Sequence, residues 1–221
     1  ESGKMHSRTY WPTFKAVYST DKITIQNVVG ANFNHVPLSY KAGYITYNPE
    51  IAARTDYFSN SANRVNSVSY NGYWNFILND RNTLTFAPSY GYSHTNSNSI
   101  YSEANVGEYR NGAKDDSHHF KANLTYTHSF GKWGNINTML QTIITTNNTT
   151  YSGTANTSDN AHTYRVGPGV QYSISKGKVY GMVGFGYHWD RQEYLDHKEN
   201  SAAPWIDFSL QYSPNSNHSV R

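Results

Sequence analysis

Cysteine is absent from the 221 residues, so a disulfide framework, a thiolate metal site and a cysteine nucleophile are all excluded. Charge is also scarce, because only 15% of the residues are Asp, Glu, Lys or Arg, against about 25% in soluble globular proteins. The net charge of +3 is scattered along the chain. No Lys/Arg run is dense enough to follow a phosphate backbone, so nucleic acid is not expected as a partner.

Long apolar runs are missing as well. None approaches the ~20 residues that a spanning helix needs, which excludes a helical membrane protein. No signal peptide opens the chain. A mature or excised chain would also lack one, so export stays open.

Aromatic residues are abundant, with 20 Tyr, 9 Phe and 5 Trp. The mean hydropathy is nevertheless −0.74, since Asn, Ser and Thr fill the positions between the aromatics. These residue types favour strands and turns over helices.

Strict alternation of apolar and polar residues is the main structural signal. In 120–130, Phe120, Leu124 and Tyr126 fall on one face, while Lys121 and Asn123 fall on the other. The same alternation recurs in segments 10–18, 68–78, 84–92, 166–174, 179–189 and 206–212. The pattern predicts strands with one apolar and one polar face.

The connections alternate between two kinds. Tight turns are predicted at 20–22, 79–82, 131–132, 175–178 and 214–217, and long polar loops near 33–63, 95–116, 148–161 and 191–203. Bacterial outer-membrane barrels have short periplasmic turns and longer outer loops. Strands of about 10 to 14 residues also match the ~9–11 that cross the hydrocarbon.

The predicted fold is all-β, an antiparallel up-and-down transmembrane β-barrel forming one domain or barrel segment over residues 1–221. Nine strands are expected, near 9–19, 22–33, 64–78, 82–94, 117–130, 133–147, 162–174, 178–190 and 203–213. A tenth begins at His218 and the chain stops within it, which favours a segment of a larger barrel. A complete ten-strand barrel is the competing interpretation.

Three prolines, Pro12, Pro88 and Pro168, fall on the apolar face of predicted strands. Proline cannot donate to a sheet ladder, so each predicts a bulge or interrupted pairing.

Segments 69–74, 84–92 and 123–131 resemble the β-barrel region of TonB-dependent receptors from the outer membrane of Bacteroidetes. The resemblance implies a Gram-negative outer-membrane protein with a 22-strand barrel, an N-terminal plug and nutrient uptake energised through TonB. The implied partners are the lipid bilayer, TonB acting through the plug, and a surface lipoprotein. The sequence itself contains neither a plug nor an energy-coupling box.

Two groups of polar residues suggest chemistry. His118 and His119 follow Asp115 and Asp116, but adjacent strand residues point to opposite faces, so solvated polarity is favoured over a metal site.

His188, Asp190 and Asp207 are the types a hydrolase would use, yet no nucleophile elbow accompanies them. We therefore expect no enzyme, no catalytic or metal residues and no cofactor.

Six aromatic residues lie near predicted strand ends: Tyr10, Trp11, Trp133, Tyr187, Trp189 and Trp205. They suit interfacial girdles, with a sugar-binding surface as the alternative. Gly181, Gly184 and Gly186 share one strand and predict close packing, or room for a large neighbour inside the barrel.

These observations favour an outer-membrane receptor or transporter for TonB-dependent nutrient uptake, whose ligand-binding residues are unknown. The alternatives are a soluble β-sandwich or adhesin that binds glycans, and a small outer-membrane barrel enzyme.

Overall fold

The computed structural model describes residues 2–5, 8–48, 53–103, 107–153, 156–215 and 218–220. These residues form one antiparallel sheet of twelve strands. The strands are β1 (Ser2–Met5), β2 (Arg8–Tyr10), β3 (Thr13–Ser19), β4 (Ile23–Asn48), β5 (Ala53–Asn79), β6 (Asn82–Glu103), β7 (Gly107–Ser129), β8 (Asn135–Ser152), β9 (Thr157–Lys176), β10 (Val179–Tyr194), β11 (His197–Asn215) and β12 (His218–Val220). Within the described ranges, no helix is long and apolar enough to cross a membrane.

The strands follow one another across the sheet in chain order. The short strands β1, β2 and β3 are successive pieces of one interrupted strand, because all three pair with β4. If β1, β2 and β3 are counted as one strand, the predicted nine strands and the start of a tenth are present. Among the described residues β12 pairs only with β11, so the described sheet has two open edges.

The sheet is a single layer. Its accessible surface is 15318 Å², whereas a compact monomer of 25.1 kDa would expose roughly 10,300 Å². Apart from Pro88, none of the described apolar side chains is buried. A soluble β-sandwich buries a core between two sheets, so that alternative is wrong.

The two faces are continuous from strand to strand. Trp74 lies opposite Phe86, Phe86 opposite Leu124, and Leu124 opposite Leu140. Because directly opposed residues share a face, the predicted apolar residues form one surface across the sheet. The Asn, Ser, Thr and Gln residues between them form the other face.

The four predicted long loops are wrong where the structure describes them. Segments 33–63, 95–116, 148–161 and 191–203 continue the flanking strands, so that β5 reaches 27 residues and β6 reaches 22. The β6–β7 ladder is unbroken from Asn82 opposite His128 to Glu103 opposite Gly107. These segments lost the alternation because both faces are polar, yet Ser, Thr and Tyr still pair well in strands.

The tight turns agree with the sequence at residues 20–22, 79–82 and 175–178. At 131–132 the turn is a short 3-10 helix, Gly131–Trp133, so β8 begins at Asn135 rather than at residue 133. Gly134 has φ 99°, a conformation that favours glycine. The turn at 214–217 lies partly outside the described residues.

Each of the three prolines interrupts pairing on one side, as predicted. Pairing between β5 and β6 skips from Asn71 opposite Ser89 to Trp74 opposite Phe86, which leaves Pro88 unpaired. Similar gaps occur at Pro12, between β2 and β3, and at Pro168, between β9 and β10. The register is the same on both sides of each gap, so the ladder is interrupted without a bulge.

Candidate functional site on the polar face

The polar face is organised by hydrogen bonds between side chains of neighbouring strands. Gln141 Nε2 donates to Asn123 Oδ1 at 3.1 Å, and Thr127 Oγ1 donates to Asn137 Oδ1 at 2.8 Å. Ser117 Oγ donates to Asn147 Oδ1 at 2.7 Å. Such groups are stable facing water, which makes this face suited to line an aqueous path.

Trp205 is a large aromatic residue on this polar face. It lies directly opposite Gly186, and its indole covers the backbone of Gly169, Gly184 and Gly186. A Cβ added at Gly186 would lie 2.5 Å from Trp205 Cε2, and one at Gly184 would lie 3.3 Å from Cζ3. Since real Cβ atoms do not approach within 3.0 Å, Gly186 must lack a side chain for the indole to lie flat.

His188 extends the Trp205 surface. Its ring is stacked beside the indole, with the ring centroids 6.1 Å apart and an interplanar angle of 25°. It lies over Gly167, where a Cβ would overlap His188 Nδ1. Nδ1 of His188 and Nε1 of Trp205 are buried and lack hydrogen-bond partners among the described residues. We call Trp205 and His188 the indole platform.

Charged groups flank the indole platform. Arg165 donates to both carboxylate oxygens of Asp190, Nε to Oδ1 at 2.5 Å and Nη2 to Oδ2 at 3.3 Å. Asp207 shares the polar face with Trp205 and is exposed. A planar ligand on the platform would have a hydrogen-bond acceptor in Asp207 nearby.

The structure places His188, Asp190 and Asp207 on the polar face, but the three do not form a hydrolytic arrangement. Asp190 is bound by Arg165 rather than by His188. The absence of enzymatic activity stays a prediction.

The histidine pair behaves as the alternation predicted. His118 lies on the apolar face, with Nδ1 2.8 Å from the Tyr90 hydroxyl, and His119 lies on the polar face, with Nδ1 3.0 Å from Thr145 Oγ1. Within the described part of the chain, no group of three His, Asp or Glu side chains is arranged to hold a metal ion.

Asp116 lies on the same face as His118, further from the tight turns. Its Oδ1 is 2.8 Å from both His94 Nδ1 and the Tyr92 hydroxyl. The hydrogen bond with His94, followed by that from Tyr92, lowers the pKa of the Asp116 carboxyl.

Three of the six aromatic residues that were expected in girdles lie on the face that a girdle requires. Tyr10, Tyr187 and Trp189 lie on the apolar face. Trp205 lies on the polar face, as does Trp11, which borders Thr13, Asn32 and Ser67. Trp133 is in the tight turn. The sequence could have placed Trp205 on the polar face, because its residue number in β11 is odd. The apolar residues of that strand, Ile206, Phe208 and Leu210, have even numbers.

The apolar face carries a neutral belt that ends at a common height. From the tight turns outward, it carries no Asp, Glu, Lys or Arg in the described strands for about a dozen residues, after which Arg64, Asp116 and Arg191 appear on the same face. About twelve residues at ~3.3 Å each, tilted by ~45°, span roughly 28 Å. This is close to the ~25 Å apolar band of outer-membrane barrels.

The family described as "Putative MetA-pathway of phenol degradation" matches residues 75–194, just over half of the chain. The chain belongs to this family. No curated protein matches the sequence, so solved structures supply the other comparisons with this MetA-pathway family member.

Three solved structures are similar to this MetA-pathway family member. The ferric citrate transporter FecA, unliganded, is 11% identical with a TM-score of 0.64, covering 95% of this chain and 34% of its own. The siderophore receptor PiuA from Acinetobacter baumannii is 11% identical with a TM-score of 0.52, covering 96% and 44%. BauA, the ferric preacinetobactin receptor from the same organism, is 7% identical with a TM-score of 0.52, covering 99% and 43%.

The chain spans between a third and a half of the length of these structures. At such low identity the likeness establishes the fold. The predicted outer-membrane β-barrel fold is confirmed, and with the neutral belt it supports the predicted location in the outer membrane.

Proposed function

We propose that this chain forms part of the wall of an outer-membrane receptor barrel that takes up a nutrient through its lumen, driven by TonB. The observation that carries the proposal is the division of one sheet into a neutral apolar belt and a hydrogen-bonded polar face. The belt faces lipid and the polar face lines the path of the solute.

The similar structures support nutrient uptake as the proposed function. They are a ferric citrate transporter, a siderophore receptor and a ferric preacinetobactin receptor. By analogy, the ligand is a scarce solute too large for simple diffusion. An origin in Bacteroidetes and a surface lipoprotein partner belong to the same proposal and rest on the sequence resemblance alone.

The test compares nutrient depletion from the medium by three strains of the source bacterium: wild type, one lacking this gene and one lacking TonB. We expect both deletions to abolish uptake of the same compound, with uptake restored when the gene is returned. Loss of uptake in the gene deletion alone would contradict TonB dependence. Unchanged depletion of every compound would contradict the receptor function.

A second candidate ligand is a small phenolic compound. The family description names phenol degradation, and the indole platform offers a flat aromatic surface beside the exposed Asp207. A phenol ring can stack on the indole face while its hydroxyl donates to a carboxylate.

Titration calorimetry of phenol binding to the protein in detergent tests this second candidate. We expect Trp205→Ala to abolish binding. Trp133→Ala should leave it unchanged, because Trp133 is in a tight turn with 66% of its surface exposed. Equal binding by both variants and the unchanged protein would rule out the platform as a phenol site.

A further inference from the structure

Four basic residues align in one cross-strand row on the apolar face, just beyond the neutral belt. Arg8 lies opposite His35, and His35 opposite Arg64. The row continues through Asn96 to Lys114. We call these residues the basic row.

The part of the basic row formed by Arg8, His35 and Arg64 has no acidic neighbour among the described residues, whereas Asp116 lies two residues from Lys114 on the same face. No Asp or Glu occupies its described positions, and Arg8, Arg64 and Lys114 have no ion-pair partner among the described residues. Arg8 and Arg64 lie two strands apart on either side of His35, with about 10 Å between their backbones. An external anion between them would pair with both cations.

The groups below the basic row define which anion fits. Tyr10 lies directly opposite Phe33, and both are on the belt side of the row, with Tyr10 63% and Phe33 44% exposed. With Arg8, His35 and Arg64 they line a groove of about 380 Å³. Asn34 and Asn66 complete the lining. The groove thus has two aromatic rings and Asn66 toward the membrane centre and cations at its outer end.

Another groove at this height has a different charge pattern. Around Trp189 it is also lined by Ile144 and Val166 and is topped by Arg191. There, however, Arg191 Nε donates to Glu193 Oε1 at 2.7 Å, so its charge is already matched. Arg191 therefore provides a control cation on the same face.

We propose that the basic row binds the phosphate-bearing headgroup of an outer-leaflet lipid, whose acyl chain lies on Tyr10 and Phe33. The tight turns mark the periplasmic end of outer-membrane barrels, so the row lies at the level of the outer-leaflet headgroups. Arg8 and Arg64 hold the phosphate by charge-assisted hydrogen bonds. A free phosphate lacks the apolar contact, and a neutral lipid lacks the charge.

The experiment measures binding of diphosphoryl lipid A to the full chain in maltoside micelles, by native mass spectrometry and by titration. We expect Arg64→Gln to weaken binding about tenfold and Arg8→Gln/Arg64→Gln to weaken it further, since each charge-assisted bond is lost. Arg191→Gln should leave the affinity within about twofold, because Glu193 already pairs that cation.

Three controls decide between sources of the anion and guard against misfolding. Phosphatidylcholine and inorganic phosphate should each bind far more weakly than lipid A. Arg64→Lys keeps the charge and should retain most of the affinity, and circular dichroism reports whether each variant is folded. Equal loss in Arg191→Gln and Arg64→Gln, or equal binding of phosphatidylcholine or inorganic phosphate, would overturn the proposal.

Discussion

At the scale of single residues, the polar face depends on glycines, whose lack of a side chain leaves space for a large aromatic residue. Gly169, Gly184 and Gly186 leave room for Trp205, a pairing of positions on three different strands. The sequence predicted close packing, or room for a large neighbour, at Gly181, Gly184 and Gly186, but could not name the neighbour. Its identity depends on the register between β10 and β11, which sequence alternation alone does not fix.

Gly186→Ala is expected to destabilise the fold by about 1–3 kcal/mol, because the new methyl group would overlap the indole of Trp205. The midpoint of chemical unfolding in lipid vesicles measures the change. Gly91→Ala is the matched control, since no atom lies within 4 Å of its added Cβ. The added Cβ would also lie 2.6 Å from the backbone oxygen of Pro168, so the double variant Gly186→Ala/Trp205→Ala should recover only the part of the stability that is lost to the indole. Equal stability of Gly186→Ala and Gly91→Ala would contradict the steric explanation.

Asp116 makes the stability of the outer part of the sheet depend on pH. Because hydrogen bonds from His94 and Tyr92 lower the pKa of Asp116, its stabilising contribution is present above the unfolded pKa of about 3.9. This contribution is lost as the pH falls through the lower pKa of the folded state.

We therefore expect Asp116→Asn to lower the melting temperature at pH 7 and to reduce the further drop between pH 5 and pH 2, as measured by circular dichroism in detergent. Asp207→Asn removes an equal charge from the exposed polar face and serves as the control. An identical pH profile for the unchanged protein and Asp116→Asn would contradict a role for this carboxyl.

At the scale of strands, the sequence predicted the inner halves well and the outer halves poorly. Inside the belt, alternation in segments such as 84–92 and 120–130 located strands and faces because water and lipid lie on opposite sides. Outside it, segment 95–116 has water on both sides and loses the alternation. Its pairing comes from the backbone ladder and from Tyr, Ser and Thr side chains, which produce no periodic signal.

Hydrogen exchange distinguishes these extended hairpins from loops. Amides of 95–102 and 110–116 should be protected for minutes or longer, because they belong to the continuous β6–β7 ladder. The turn at Asp80 and Arg81 should exchange rapidly and serves as the internal reference. Complete exchange of 95–116 within seconds would support the loops that the sequence predicted.

At the scale of the whole molecule, a single-layer sheet cannot be stable in water with its apolar face uncovered. Leu124 and Phe120 are each more than a third exposed, and they lie in the centre and toward the outer edge of the belt. A bilayer removes this surface from water, so folding and membrane insertion are one process.

A charge placed on either face tests this orientation. Leu124→Arg is expected to destabilise the barrel by about 2–4 kcal/mol in vesicles, because it places a cation in hydrocarbon. Asn123→Arg, one residue away, puts the same charge on the polar face and should have a much smaller effect. The comparison uses gel-shift assays of the folded fraction, and equal effects of both substitutions would contradict the assigned faces.

The outer hairpins differ in length in a regular order. Their first strands, β4, β6, β8 and β10, contain 26, 22, 18 and 16 residues, while the inner turns cap every strand pair at the start of the belt. The outer edge of the sheet is therefore highest at the β4–β5 hairpin and lowest at the β10–β11 hairpin. We expect antibodies or phages to meet the high tip first, and bulky cargo to enter over the low end, where the indole platform lies.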